Sequence, residues 1–230
     1  MKKCMFVCAA IAWALAMAPG TAAQDLKEKL AAAKESAARN AKAMRSYSWL
    51  EKTELSLKGE VKNSKVDSVM YGPDGKLVKT PVVEPPPPEK KRGLKGKVIA
   101  KKTGEMKEEL EAAAALVQLY VPPSPDKIQV VMNAGGASLS QAAAGAVSLQ
   151  FTGYEKAGDA LILTFDGAVK ALRQISVKTW LNQPDNPVTL NVTMQSLPDG
   201  LDYPATVVLS IPSSNIDVRI TKSNYQKRAP

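Results

Sequence analysis

The spacing of apolar and polar residues changes period along the chain, and each change marks an element. Leu26, Leu30, Ala33, Ala37 and Met44 recur at helical spacing, with Asp25 and Glu28 in the first turn and Lys42 and Arg45 in the last, where they complement the helix dipole. This predicts a helix over 25–45 with a narrow, alanine-rich stripe, suited to lying against a sheet. From Ser46 the period falls to two. Tyr47, Trp49, Glu51, Thr53, Leu55 and Leu57 alternate with more polar positions, Val61 to Tyr71 form a second, more polar strand, and Lys76 to Val82 a third. Gly72-Pro73-Asp74-Gly75 between the last two is turn chemistry, because proline presets φ and glycine accepts a positive one. The three strands read as an antiparallel meander, half exposed.

Helical spacing returns at 105–120. Met106, Leu110, Ala113 or Ala114, Val117 and Tyr120 share one face, Thr103 or Gly104 opens the helix, and Pro122-Pro123 stop it. Ile128 to Met132 fits a strand or a helical turn equally, and "NAGGASLSQAAAGA" reads as a loop. The last third is strand-rich: 146–154, 159–166, 168–181, 187–196, 203–211 and 215–225, separated by "EKAGD", "FDGA", "NQPDNP", "LPDG" and "PSSN". Val188, Leu190, Val192 and Met194 alternate with Thr189, Asn191 and Thr193, one dry face and one wet. Together these predict an α+β fold, a curled antiparallel sheet forming a half-barrel of about eight or nine strands packed against two helices.

The first residues belong to a different class. Lys2 and Lys3, the apolar run Met5 to Ala18, Pro19-Gly20 and the small residues Thr21-Ala22-Ala23 have the layout of a secretory signal peptide, with cleavage expected after Ala23. The run is shorter than the roughly 20 residues of a spanning helix. The expected domains are a signal peptide, 1–23, and a single α+β domain, 24–230, released soluble into a bacterial periplasm, with an extracellular location as the alternative. Neither Cys4 nor Cys8 lies at the cleavage point, as a lipoprotein would require. With both removed, no disulfide framework remains and stability must come from core burial.

Charge narrows the picture further. The formal net charge is +9, yet Lys90, Lys91, Arg92, Lys95, Lys97, Lys101 and Lys102 stand together against Glu89 alone. The excess sits in "EPPPPEKKRGLKGKVIAKK", 84–102, predicted to be an exposed Pro-rich basic loop that proline holds extended and lysine holds in water. A second reading gives Lys90, Lys91, Arg92, Lys95 and Lys97 contact with an anionic membrane surface or an envelope protein. Nucleic acid is not an expected partner, because the run has no aromatic residue on which bases would stack.

No histidine occurs in the sequence and no cysteine after the signal. That removes imidazole bases, Ser-His-Asp triads, thiol nucleophiles and the usual zinc sites, so no catalytic residue, metal or cofactor is assigned. Ser124-Pro-Asp-Lys127 and Lys102-Thr103-Gly104 match the paired motifs of penicillin-recognising enzymes in letters. Pro122, Pro123 and Pro125 are expected to forbid the helical turn that motif needs, and the order is reversed. Asp159, Asp166 and Asp185 sit in or beside predicted turns and are expected to cap them.

"NAKAMRSYSWLEKTELSLKGEVKNSKVDSVMYGPDGK" and "DGAVKALRQISVKTWLNQPDNPVTLNVTMQSLPDGLDYPATVVLSIPSSNIDVRITKSNYQ" resemble a group of uncharacterised exported bacterial proteins sharing the helix, the YxW strand, the PDG turn, the polyproline segment and the "LPDG…Y" ending. In element order the group looks like the LolA/LolB lipoprotein-carrier class, a half-barrel whose concave face is lidded by helices. The resemblance implies a non-enzymatic protein that binds a lipid-like or lipoprotein ligand between sheet and helices. The residues expected to line that space are Trp49, Leu55, Leu57, Val69, Met106, Leu110, Val117, Phe151, Leu163 and Trp180. The chain departs from the class in being poor in aromatics, at 5%, and in having alanine-rich helices.

Overall fold

A computed structural model describes residues 35, 38–83, 94–141, 145–168 and 171–228. Ten strands form one antiparallel sheet: β1 Tyr47–Leu57, β2 Glu60–Tyr71, β3 Leu77–Val83, β4 Ala137–Gln141, β5 Val147–Thr152, β6 Ala160–Phe165, β7 Leu172–Trp180, β8 Pro187–Ser196, β9 Asp202–Ile211 and β10 Ile216–Lys227. Between β3 and β4 lie α1, Leu94–Val117, and α2, Pro125–Asn133.

The strand order is β3-β2-β1-β10-β9-β8-β7-β6-β5-β4, an open sheet with edges at β3 and β4. Every neighbouring pair is sequential except one. β1 pairs with β10, with Glu51 opposite Lys222, Leu55 opposite Val218 and Leu57 opposite Ile216, and this pairing joins the meander before the helices to the one after them. The turns use the chemistry read from the sequence. Lys58 and Gly59 both have positive φ, 55° and 79°, the signature of the two-residue hairpin whose twist matches its strands. The two PDG turns carry the same bonds: Gly72 N–H donates to Lys76 at 2.8 Å as Leu197 N–H does to Leu201, and Gly75 and Gly200 N–H return to Gly72 and Leu197.

Because cross-strand partners share a face, register identifies the inner side. Leu149, Phe151, Leu161, Leu163, Ile175, Val177, Val188, Leu190, Val192, Leu209 and Ile211 form one apolar floor, onto which Ala113, Val117 and Tyr120 of α1 and the turn after it, and Ile128 and Val131 of α2, pack. The opposite side carries the wet set, with Ser148 bonded to Thr164 and Ser176 to Asn191.

Four expectations change. The strand count rises from about eight or nine to ten because "ASLSQ", read as loop, pairs along β5: Ala137, Leu139 and Gln141 face Phe151, Leu149 and Val147. Its small and polar residues hide a two-residue period that only the partner strand exposes. α1 opens at Leu94, not at Thr103 or Gly104, so 94–102 of the expected basic loop is helix. Its lysines are good helix formers, and Lys101–Glu105 and Lys107–Glu111 pair at 3.8 and 3.6 Å one turn apart. The ambiguous 128–132 segment is helix. Prolines do not forbid a turn at Ser124: Pro125 occupies the first helical position of α2, where it has no bond to lose, and Ser124 caps the helix by accepting from Lys127 N–H at 3.4 Å. Lys102-Thr103-Gly104 lies inside α1 and Lys127 Nζ is bonded to Glu155, so the penicillin-type motif assembles no site.

Of the first helix, residues 38–43 are helical and end in a single 3₁₀ turn, Met44–Ser46. The expected signal peptide, the start of that helix and the polyproline stretch 84–93, with Lys90, Lys91 and Arg92, lie outside the described residues.

Candidate functional site

Three places on the inner side gather chemistry. The first is a groove of about 510 Å³ where α1 passes over the junction of β1 and β10. Leu57 ends β1 and Ile216 begins β10, and they are direct cross-strand partners, so the floor exists only because these two strands meet. Met106 of α1 faces them, and Lys102, Glu105, Glu109 and Ser214 form the rim. Ser214 Oγ donates to Glu109 at 2.8 Å, tying the helix to the β9–β10 turn. Gly104, one helical position from the rim, has open space around it.

The second place is the inner side of β1, β2 and β10. Trp49, Glu51, Asp67 and Val69 are each no more than 5% exposed. Glu51 and Asp67 stand directly opposite each other, a like-charge pair that lysines offset. Glu51 bonds Lys79 of β3 and lies 4.0 Å from Lys222 of β10, and Asp67 lies 3.1 Å from Lys65. Burial pulls the Lys222 ammonium below its ordinary pKa, and Glu51 opposes that shift. A register shift across from Trp49, with Asn224 at a φ of 53°, turns Tyr225 onto the indole at 5.5 Å. Tyr71 and Tyr203 extend the stack. The Trp49 Nε1 donor has no hydrogen-bond partner among the described residues.

The third place is the buried carboxylate of Asp159. It accepts from the backbone N–H of Tyr154, Glu155 and Lys156 at 2.7, 3.0 and 2.9 Å and from the Tyr120 hydroxyl, which also meets Thr179 Oγ1 at 2.9 Å. Burial, and then the bond to Asp159, raise the Tyr120 phenol well above its ordinary pKa. Both oxygens accept, Oδ1 from one donor and Oδ2 from three, so this is a lock between the turn after α1, the 153–159 turn and β7. The expected turn-capping role of Asp159 is what the structure shows, and Asp166 does the same for Ala168 N–H at 2.9 Å.

The residues expected to line a ligand space divide among these places. Leu57 and Met106 meet in the groove. Leu55 and Leu110 are partly buried against the core, and Val117, Phe151 and Leu163 lie within it, packed by neighbours on all sides. Trp49 and Val69 belong to the charged, aromatic wing. Trp180 follows Thr179, whose side chain points into the core, so its ring takes the opposite side of the sheet, under Lys156 Nζ at 4.5 Å. Lys95 and Lys97 fall in the first turns of α1. The groove residues not foreseen are Lys102, Glu105, Glu109, Ser214 and Ile216; Ile216 carries a readable apolar signal, but only the β1–β10 register brings it to Leu57.

Fold and site together define an open antiparallel sheet with two helices on its inner side and an apolar groove under the middle of α1. The crystal structure of a DUF1329 family protein from Desulfovibrio piger aligns with 85% of this chain and 92% of its own, at 10% identity and a TM-score of 0.39, and no residue role is carried over from it. No family model and no curated protein matches the sequence.

Proposed function

We propose that this is a non-enzymatic envelope protein that holds a lipid-like or lipoprotein hydrophobic ligand between α1 and the sheet, in the manner of the LolA/LolB carrier class. The observation that supports it is the groove over Leu57, Met106 and Ile216: about 510 Å³, within the roughly 300–1,000 Å³ of small-molecule sites. The apolar floor favours acyl groups, since each buried methylene contributes about 0.8 kcal/mol. Among the described residues the core beside the groove is filled, and a ligand enters the groove without displacing packed side chains. Location in the periplasm belongs to the same proposal and rests on the leader-like first residues; among the described residues no helix is long and apolar enough to cross a membrane.

Native mass spectrometry of protein purified from its own envelope tests the reading. A bound mass that extracts into organic solvent, and that Met106→Asp abolishes with the fold intact, is the expected result; apo mass alone counts against it. A second reading, docking of the basic segment on an anionic surface, is favoured by the first turn of α1, which contains no acid. Co-sedimentation with anionic liposomes at low salt, lost on deletion of 84–93, is its check.

A further inference from the structure

We propose that the ligand of this groove is an anionic amphiphile, seated with its tail on Leu57, Met106 and Ile216 and its acidic head on Lys102. The inference rests on the preceding reading of the groove and adds to it the polarity of the ligand and its orientation.

Charge bookkeeping at the rim carries the argument. Glu109 accepts from Ser214 Oγ at 2.8 Å, and Glu105 lies 3.8 Å from Lys101 one turn back. Each carboxylate therefore has an answering neighbour. Lys102 is exposed, lines the same groove and has no ion pair among the described residues. Its position is one helical turn before Met106, so ammonium and thioether share a helix face and point to the same side. A ligand lying along that face meets apolar surface first and a cation at the end.

The sequence of α1 points the same way. Helices favour acids at the start and bases at the end, where they offset the macrodipole. α1 does not follow the rule: its first turn holds no acid, its last turn no base, and Lys95, Lys97, Lys101 and Lys102 precede any Glu. A local choice that opposes the fold it serves is a mark of a functional site. An anion held at Lys102 answers the run of lysines that precedes the first glutamate of the helix. An ammonium head would instead have to compete with Lys101 and Ser214 for carboxylates already engaged.

The test is displacement of a neutral apolar fluorophore from the purified protein by three probes of equal chain length: dodecanoate, dodecanol and dodecylamine, at a pH where the acid is ionised. The expected order is acid, then alcohol, then amine, with the acid about tenfold tighter than the alcohol, a typical gain for a charge-assisted contact at a partly exposed site. Lys102→Met, which keeps the stem at an exposed position, should erase the acid–alcohol gap; Lys102→Glu should invert the order, and Lys102→Arg should keep it. Rising salt should narrow the gap. Acid and alcohol binding equally, or a gap that survives Lys102→Met, overturns the assignment of the head while leaving the groove as an apolar site. Tightest binding by the amine overturns it in favour of Glu105 and Glu109. Binding of none of the three overturns the apolar-ligand reading as well.

Discussion

One inner surface of one sheet carries two opposed chemistries. From β4 to β9 it is apolar, closed by Leu110, Ala113, Leu116 and Val117 of α1 and by α2. Across β1, β2 and the end of β10 it is aromatic and charged, with Trp49 stacked on Tyr225 and tilted against Tyr71, and Glu51 and Asp67 buried beside Lys79, Lys65 and Lys222. The first half is stabilised by buried area, with one polar lock at Asp159, and its aliphatic positions tolerate changes that keep volume. The second depends on pairing, because a buried charge without its counter-ion costs more than the pair contributes. The groove lies where the two halves meet, over the single junction that is not a hairpin. Stability and ligand contact are therefore separable along the sheet.

Substitutions that break this contrast rank by how many buried partners they orphan. Asp159→Ala should be the most damaging, at about 4 kcal/mol in denaturant unfolding, since three backbone donors and the Tyr120 hydroxyl lose their acceptor at once. Glu51→Gln should cost about 3 kcal/mol by leaving Lys222 largely buried and unpaired. The informative comparison is the double variant Glu51→Leu with Lys222→Met, which should recover most of that loss if the wing is held by compensation and not by net attraction; no recovery would show the ion pairs to be a true source of stability.

Tyr120→Phe should cost about 2 kcal/mol at neutral pH, by removing one of the three donors to Asp159 Oδ2 and the partner of Thr179 Oγ1. It also has a pH signature. Burial holds the folded Tyr120 pKa above the unfolded value of about 10, so its contribution is full below that pH and is lost as pH rises through the raised pKa. Tyr225 shifts the same way by burial, and Lys222 the opposite way. The difference in alkaline slope of Tm between the parent and Tyr120→Phe isolates the first group; identical slopes would remove it.

At the small end, Gly104→Ala should stabilise by about 0.5–1 kcal/mol, because a methyl group there meets open space and the helix interior no longer bears the entropy of glycine. Met106→Asp should change stability less than Glu51→Gln does, while removing ligand. A fall in stability as large as that of a core residue would mean Met106 is packing, not lining.

How much of this was legible depended on the range of the interactions. The hairpins announced themselves through Gly72-Pro73-Asp74-Gly75, through "LPDG" and through the alternation of Val188 to Met194, since turn chemistry and strand period are local. Asp159 was readable as a cap for the same reason. α1 was half readable: the face Met106, Leu110, Ala113, Val117 and Tyr120 appears at the expected spacing, yet Gly96, Gly104 and the lysine run disguised its first turns. The β4 strand was hidden because an edge strand of small polar residues draws its order from the strand beside it.

Residue order alone determined the class of fold, the turns and the two faces of each strand, all properties of neighbours within a few positions, and that the sequence holds no histidine and no cysteine beyond Cys8. Tertiary structure alone decided that β1 lies against β10, and with it that Leu57 meets Ile216, that Glu51 meets Lys222 and that Trp49 meets Tyr225. The physical reason is separation: these partners are more than 150 residues apart in sequence. No local period records a pairing whose loop-closure entropy is repaid only when the whole inner face is buried.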